Sequence, residues 1–279
     1  MDLSGRTRLL GVIGHPIGHT LSPKMHNAAF AASGLDYVYL PMDVRPENLP
    51  AAVSGLRALG FWGFNVTMPH KEAILPLLDE LDEAARVTGA VNTVMVEGDA
   101  LRGTNTDGTG FVEACQESGV GFDGVRVLLI GAGGAAAAFA VAVFREGARE
   151  LRILNRSRQR AEKLRDRLWG AYPGAVISIH DITDPEGAAR GTDVFINATY
   201  LGMKNEDPLP VPVSSLGANT PVCDAVYRPG AETRFIRLAR ERGLPAVPGG
   251  RMLLYQGVQA QRIWTGKEPD VRAMSDALS

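Results

Sequence analysis

Lys71 sits in "NVTMPHKEAI" (65–74), directly after a strand-like run from Phe61 to Val66 and Pro69. That placement puts it in the first turn of an expected helix, where the helix dipole disfavours a cation. A lysine so placed is suited to exchange a proton rather than to serve as a solvated charge. Other polar patches interrupt the same half of the chain. Thr20 and Ser22 lie in "GHPIGHTLSPKMHN", Asn65 and Thr67 precede the lysine, and Asn92 and Asp107 lie in "GAVNTV" and "GTNTDGTG". Taken singly, Ser22, Thr67 and Asp107 read as helix caps and Asn92 as a turn residue. Taken together, hydroxyls, amides, one lysine and one aspartate suit a pocket for a small polyhydroxylated acid. His15, His19 and His26 have no carboxylate or cysteine beside them at ligand spacing, so no metal site is expected.

A second constellation follows. In "VLLIGAGGAAAA", Gly131, Gly133 and Ala136 match the G-x-G-x-x-G/A spacing of a dinucleotide loop. Small residues are needed there so that bare backbone can approach a pyrophosphate seated on helix N-terminal amides. At the end of the next strand, where an NAD enzyme places an acid, the chain has "NRSRQR", Asn155 to Arg160. Arginines without an acid suit the extra phosphate of NADP, although the same run could be a solvated helix start.

These residues need a scaffold. From Val125 onward, "VRVLLIG", "LRILN", "AVISIH", "DVFINAT", "PVCDAV" and "LPAVPG" alternate with helix-like segments. That pattern predicts βαβ units and a doubly wound parallel sheet. The first half alternates less regularly, with a hairpin expected to turn at Gly98-Asp99. A late helix, "GGRMLLYQGVQAQRIWTG", follows the βαβ series and could return to the first domain. The expected domains are 1–106, completed by 249–279, and 107–248.

Bulk composition narrows the class. Of 279 residues, 45% are hydrophobic and 22% charged, as in a globular chain able to bury its own core. With 29 basic against 31 acidic residues, a nucleic-acid or anionic-membrane binder is not expected. Cys115 and Cys223 show no CxxC spacing, so neither a disulfide nor a zinc site is expected, and a cytoplasmic location fits. The N-terminal stretch lacks a signal-peptide core, and no apolar run approaches the ~20 residues of a membrane span.

The motifs "PIGHTLSPKMHN", "NVTMPHK", "GAVNTV", "NTDGTG", "GAGGAA", "NRS", "INAT-LGM", "DAVYRPG" and "MLLYQGVQA" occur in the order of the shikimate dehydrogenases, a family the chain resembles over nearly its whole length. The resemblance implies two α/β domains, a Rossmann-like NADP domain inserted into a substrate-binding one. It implies NADPH-dependent, reversible reduction of 3-dehydroshikimate to shikimate, a step toward chorismate and the aromatic amino acids, by a monomer or homodimer. Lys71 matches the family's catalytic lysine and Asp107 the carboxylate that partners it. Thr20 and Ser22 match hydroxyls that hold the substrate carboxylate, and Thr67, Asn92, Gln256 and Tyr227 match other substrate contacts. Gly131, Ala132, Gly133, Gly134 and Ala135 match the cofactor loop. Asn155, Arg156, Ser157 and Arg160 match the 2′-phosphate clamp, and Ala225, Gly249 and Glu83 further cofactor positions. Two departures stand out: Thr20 replaces the usual serine, and Tyr200 and Leu201 replace smaller residues. They leave open a quinate/shikimate or aminoshikimate dehydrogenase. A non-catalytic NADP- or substrate-binding protein is the alternative of another class.

Overall fold

The strand "RLLGVIG" forms β1 (Arg8–Gly14), and its continuous apolar character reflects burial on both faces. Successive side chains alternate between two cores. Leu10 and Val12 pack with Phe30, Tyr37, Tyr39 and Trp264, whereas Leu9 and Ile13 pack with Val53, Phe64, Ile74 and Val91. The computed structural model describes residues 3–228 and 230–278. The chain divides into two units. One is the chain up to Thr106 together with the stretch from Gln256 onward, and the other is Asp107–Tyr255.

In the first unit β1 is followed by α1 (Ser22–Ala32), β2 (Tyr37–Asp43), α2 (Leu49–Ala58), β3 (Gly63–Val66) and α3 (His70–Ala73). Next come β4 (Glu80–Leu81), α4 (Glu83–Thr88), β5 (Thr93–Glu97) and β6 (Ala100–Thr104). The sheet order is β2-β1-β3-β5-β6-β4, parallel except where β5 pairs with β3 and β6. The β5–β6 hairpin turns at Gly98-Asp99 with Gly98 at φ +60°, as the sequence predicts. Strand β3 begins at Gly63, not Phe61. The residues before it close α2: Phe61 N–H donates to Leu56 O and Gly60 N–H to Arg57 O, with Gly60 at φ +70°.

The second unit starts with α5 (Asp107–Glu117) and continues β7 (Arg126–Ile130), α6 (Gly134–Arg145), β8 (Glu150–Leu154), α7 (Arg158–Ala171) and β9 (Val176–His180). Then follow α8 (Pro185–Ala189), β10 (Val194–Asn197), β11 (Val222–Asp224), α9 (Arg234–Glu241) and β12 (Ala246–Val247). All five strand pairings are parallel, in the order β12-β11-β10-β7-β8-β9. Read from β9, this is the doubly wound 3-2-1-4-5-6 arrangement, whose order reverses between β7 and β10, where such sheets bind ligands. The alanines of α6 let α5 pack closely: a Cβ on Gly108 would lie 2.6 Å from Ala138 O. Phe111 stacks on Phe139 at 4.3 Å.

Helix α10 (Gly249–Thr265) is continuous, and α11 (Val271–Asp276) follows it. The unit boundary falls within α10, after Tyr255, seven residues beyond the domain limit read from the sequence. Arg251 and Tyr255 explain why its first turns group with the second unit. Both bond Glu117 of α5, Tyr255 Oη at 2.9 Å and Arg251 Nε at 2.7 Å.

Candidate active site

Lys71 is placed less by a helix than by its neighbours. α3 has one turn, with Pro69 at its N-cap, so few peptide dipoles add up and the expected dipole penalty on Lys71 is small. His70 anchors the turn instead. Its buried ring bonds Val44 O through Nε2 at 2.7 Å, and its N–H donates to Thr67 O. On the other side Val91 N–H donates to Lys71 O at 2.8 Å. The half-buried Lys71 side chain therefore leaves a backbone held from two directions.

Neither Ser22 nor Thr67 is a helix cap. Leu21 and Pro69 occupy the N-cap positions of α1 and α3, without side-chain cap bonds. Thr20 Oγ1 accepts from Ser22 N–H at 3.3 Å, which holds the two residues in one tight turn. A hydroxyl without a capping duty is available to a ligand.

Asn92 sits in a buried polar network. Its Oδ1 accepts from Thr106 N–H at 2.8 Å and from Thr93 Oγ1 at 3.0 Å, and its Nδ2 donates to Thr106 Oγ1 at 3.0 Å. Asn65 has a different role from the pocket-lining one its type suggests. Tyr39 Oη donates to its Oδ1 at 2.6 Å, and its Nδ2 donates to Asn92 O and Thr93 Oγ1. Both amide hydrogens are committed, so Asn65 supports Asn92 from behind. Gln256 is buried, and its carbonyl accepts from Thr106 Oγ1 at 3.2 Å. Glu83 opens α4, exposed, while Asp82 caps that helix through Ala85 N–H. The expected cofactor position at Glu83 thus lies in the first unit.

Of the three histidines that could suggest a metal, His15 Nδ1 bonds Asp43 Oδ1 at 2.8 Å. His26 stacks on Tyr39 at 4.3 Å, and burial lowers its pKa to about 3, which keeps the ring neutral. Among the described residues no cluster of three or more potential metal ligands occurs.

Lys71 belongs to the first unit, whereas Asp107 is the first residue of the second, buried at the start of α5. In the second unit the glycine loop has a physical requirement for glycine at Gly131. Its φ is +119°, and a Cβ there would lie 2.8 Å from Ala198 O. Gly133 is the N-cap of α6 and Gly134 its first residue, with Ala132 and Ala135 half-buried alongside. The amides at the α6 N-terminus are suited to a pyrophosphate.

At the end of β8, Asn155 Nδ2 donates to Ser157 O at 2.8 Å, and Ser157 caps α7 by accepting from Arg160 N–H. Arg158 is committed to Glu162 at 3.0 Å. Arg156 and Arg160 are exposed and carry no ion pair among the described residues. Two uncommitted guanidinium groups with no acid between them fit a 2′-phosphate.

Ala225 N–H donates to Asn197 O at 2.8 Å, and the half-buried Tyr227 has its pKa raised by burial. Gly249 begins α10 where a Cβ would collide with the carbonyls of Val226 and Ala225. Sequence reasoning gave no role to two buried polar residues beside them, Asn197 and Asp224, although both lie in family motifs it singled out. Their signal was available: each is a polar residue closing an apolar strand run. It also missed that Cys115 and Cys223 lie with their sulfurs 3.6 Å apart, both buried and free, since a contact between α5 and β11 leaves no trace in spacing.

A doubly wound sheet, a glycine loop at its switch point and uncommitted arginines after the second strand define an NADP-dependent oxidoreductase. Known proteins agree. Family models match residues 12–94 (shikimate dehydrogenase substrate binding domain), 113–203 (shikimate/quinate 5-dehydrogenase) and 249–278 (shikimate 5′-dehydrogenase C-terminal domain). The chain is 60% identical to a shikimate dehydrogenase (NADP(+)) of Rubrobacter xylanophilus, over 99% of this chain and 97% of that one. A shikimate dehydrogenase solved in complex with NADP+ has TM-score 0.92 and 37% identity, over 99% of this chain and 96% of that one. The shikimate 5-dehydrogenase of Listeria monocytogenes, solved with shikimate and NAD, has TM-score 0.91 and 38% identity, over 100% and 99%. This chain belongs to the shikimate dehydrogenase family.

Proposed function

We propose that the protein catalyses the reversible, NADPH-dependent reduction of 3-dehydroshikimate to shikimate. The observation that carries this reading is the 60% identity, across 99% of the chain, with a relative named for that activity. Support comes from the availability of the polar residues: Ser22 and Thr67 have no capping duty, and Lys71 is held by its backbone on both sides.

NADPH would be held by the loop Gly131, Ala132, Gly133, Gly134 and Ala135, by Asn155, Arg156, Ser157 and Arg160, and by Ala225, Gly249 and Glu83. When bound, it supplies a hydride to the ring carbonyl carbon. Lys71 as an ammonium delivers the proton that the oxygen needs, and as an amine takes it back in the reverse direction. General acid–base help of this kind is worth ~100- to 10,000-fold. Asp107 supplies the carboxylate of this chemistry. Thr20 and Ser22 hold the substrate carboxylate, and Thr67, Asn92, Gln256 and Tyr227 bond its hydroxyls. The unit 3–106 with 256–278 takes the substrate role and 107–255 the cofactor role. Two free buried thiols suit a cytoplasmic setting, and a monomer or homodimer suffices for the reaction.

The test is direct. Protein is mixed with NADP+ and shikimate, and separately with quinate, while nicotinamide absorbance is followed. Turnover of shikimate is expected. Faster turnover of quinate would replace the substrate assignment, a relevant comparison because Thr20 adds a methyl at the carboxylate end. Absence of turnover with both would leave a binding protein in its place.

A further inference from the structure

We infer that Asn197 and Asp224 are positioning residues for the reaction, fixing the loop segments 199–201 and 225–227 from the ends of β10 and β11. The two residues are Cα partners in the last rung of the β10–β11 ladder, and both are buried at the end of apolar strands. Polar side chains in such a place are retained where every group finds a partner.

The partners lie in the loops. Asn197 Nδ2 donates to Asp224 Oδ1 at 2.9 Å and to Leu201 O at 3.0 Å, which uses both hydrogens. Asn197 Oδ1 accepts from Thr199 N–H at 3.2 Å and Thr199 Oγ1 at 2.7 Å. Asp224 Oδ1 also accepts from Val226 N–H at 3.0 Å, and Oδ2 from Thr233 Oγ1 at 2.7 Å. Thr233 in turn caps α9.

One hydrogen-bonded pair thus holds two segments at once. The first follows Ala198, whose carbonyl faces Gly131 of the glycine loop. The second places Ala225 and Tyr227 on either side of the tethered Val226, whose carbonyl faces Gly249. The strand ladder reaches only Ala225, through its N–H to Asn197 O, and leaves the rest of both segments to other contacts, because β10 and β11 end at Asn197 and Asp224. Removing the pair would free the nicotinamide end of the site, while Arg156, Arg160 and the α6 N-terminus keep their own supports. The inference rests on the proposed reaction, in which Ala225 and Tyr227 serve nicotinamide and substrate.

The experiment compares Asp224→Ala, Asp224→Asn and Thr199→Val with wild type, measuring kcat with shikimate and NADPH affinity by fluorescence titration. Asp224→Ala is expected to lower kcat about 10- to 100-fold, the scale of a misplacement near 1 Å, with NADPH Kd changed by less than about threefold. Asp224→Asn is expected to restore most of kcat. Its Oδ1 can still accept from Asn197 and Val226, and its Nδ2 can donate to Thr233. A wild-type kcat in Asp224→Ala, equal losses in kcat and NADPH affinity, or an Asp224→Asn as impaired as Asp224→Ala would each overturn the inference. If Asp224→Ala does not fold, Thr199→Val decides: lowered kcat with unchanged NADPH Kd supports the role, and unchanged kcat refutes it. A wild type without turnover overturns the proposed reaction along with the inference, whereas an active wild type with an indifferent Asp224→Ala overturns the inference alone.

Discussion

Replacing Asp224 by asparagine should make the stability of this protein less dependent on pH. Burial pushes the Asp224 pKa up to about 6, against the opposing influence of its bonds from Thr233, Val226 and Asn197. The protonated form is easily accommodated. Oδ1 keeps its two N–H donors, while the Thr233 hydroxyl on Oδ2 can accept a hydrogen as well as donate one. An unfolded aspartate titrates near ~3.9. Because the folded pKa is the higher one, the folded state binds the proton more tightly. The resulting stabilisation is complete below about pH 4 and is lost as pH rises through about 6. A shift of about two units at ~1.4 kcal/mol each gives an upper value of about 3 kcal/mol.

Asparagine reproduces the protonated shape without a titrating proton. The free energy of Asp224→Asn minus that of wild type should therefore rise by roughly 2 kcal/mol, and at most about 3, between pH ~4 and ~7.5. Urea unfolding at each pH, with linear extrapolation, measures it, and the subtraction removes the other titrating groups common to both proteins. A difference that stays flat, or that falls as pH rises, would show that the three donors outweigh burial at Asp224.

Lys71→Ala should lower turnover ~100- to 10,000-fold while NADPH affinity, by fluorescence titration, stays within about threefold. Arg156→Ala combined with Arg160→Ala should weaken NADP binding by roughly tenfold or more and leave NAD binding nearly unchanged, since only NADP offers a 2′-phosphate. Calorimetric titration of both cofactors checks this, and equal losses would remove the clamp. Gly131→Ala forces a Cβ to within 2.8 Å of Ala198 O at φ +119°. About 1–3 kcal/mol of strain is expected, read as a lower thermal midpoint and weaker NADP binding. Tyr39→Phe leaves Asn65 Oδ1 without its 2.6 Å donor. It should cost about 1–3 kcal/mol in urea unfolding and raise KM for shikimate, because Asn65 braces Asn92.

Much of the architecture was legible because local chemistry and tertiary outcome agree. The six apolar runs after Val125 became β7 to β12, all paired in parallel. Gly98-Asp99 turned the β5–β6 hairpin, and Gly131 took a backbone conformation closed to other residues. The misreadings were of residues whose role depends on contacts far along the chain. Ser22 and Thr67 have the composition of caps, but the N-cap positions fell one residue before Ser22 and two after Thr67, at Leu21 and Pro69. A dipole penalty at Lys71 requires a helix of ordinary length, and α3 has four residues, followed by a 3₁₀ turn at Leu75–Leu77 in place of its continuation.

The sequence by itself determined the alternation of strands and helices, the need for glycine in the phosphate-type loop and the supply of arginines without an acid. These follow from steric limits and charge, which act within a few residues. Only the tertiary structure decided which polar groups are free to act. It turned Asn65 into a support for Asn92, and joined Asn197 to Asp224. Hydrogen-bond satisfaction is settled by neighbours brought together from distant parts of the chain, so it cannot be read from spacing along it.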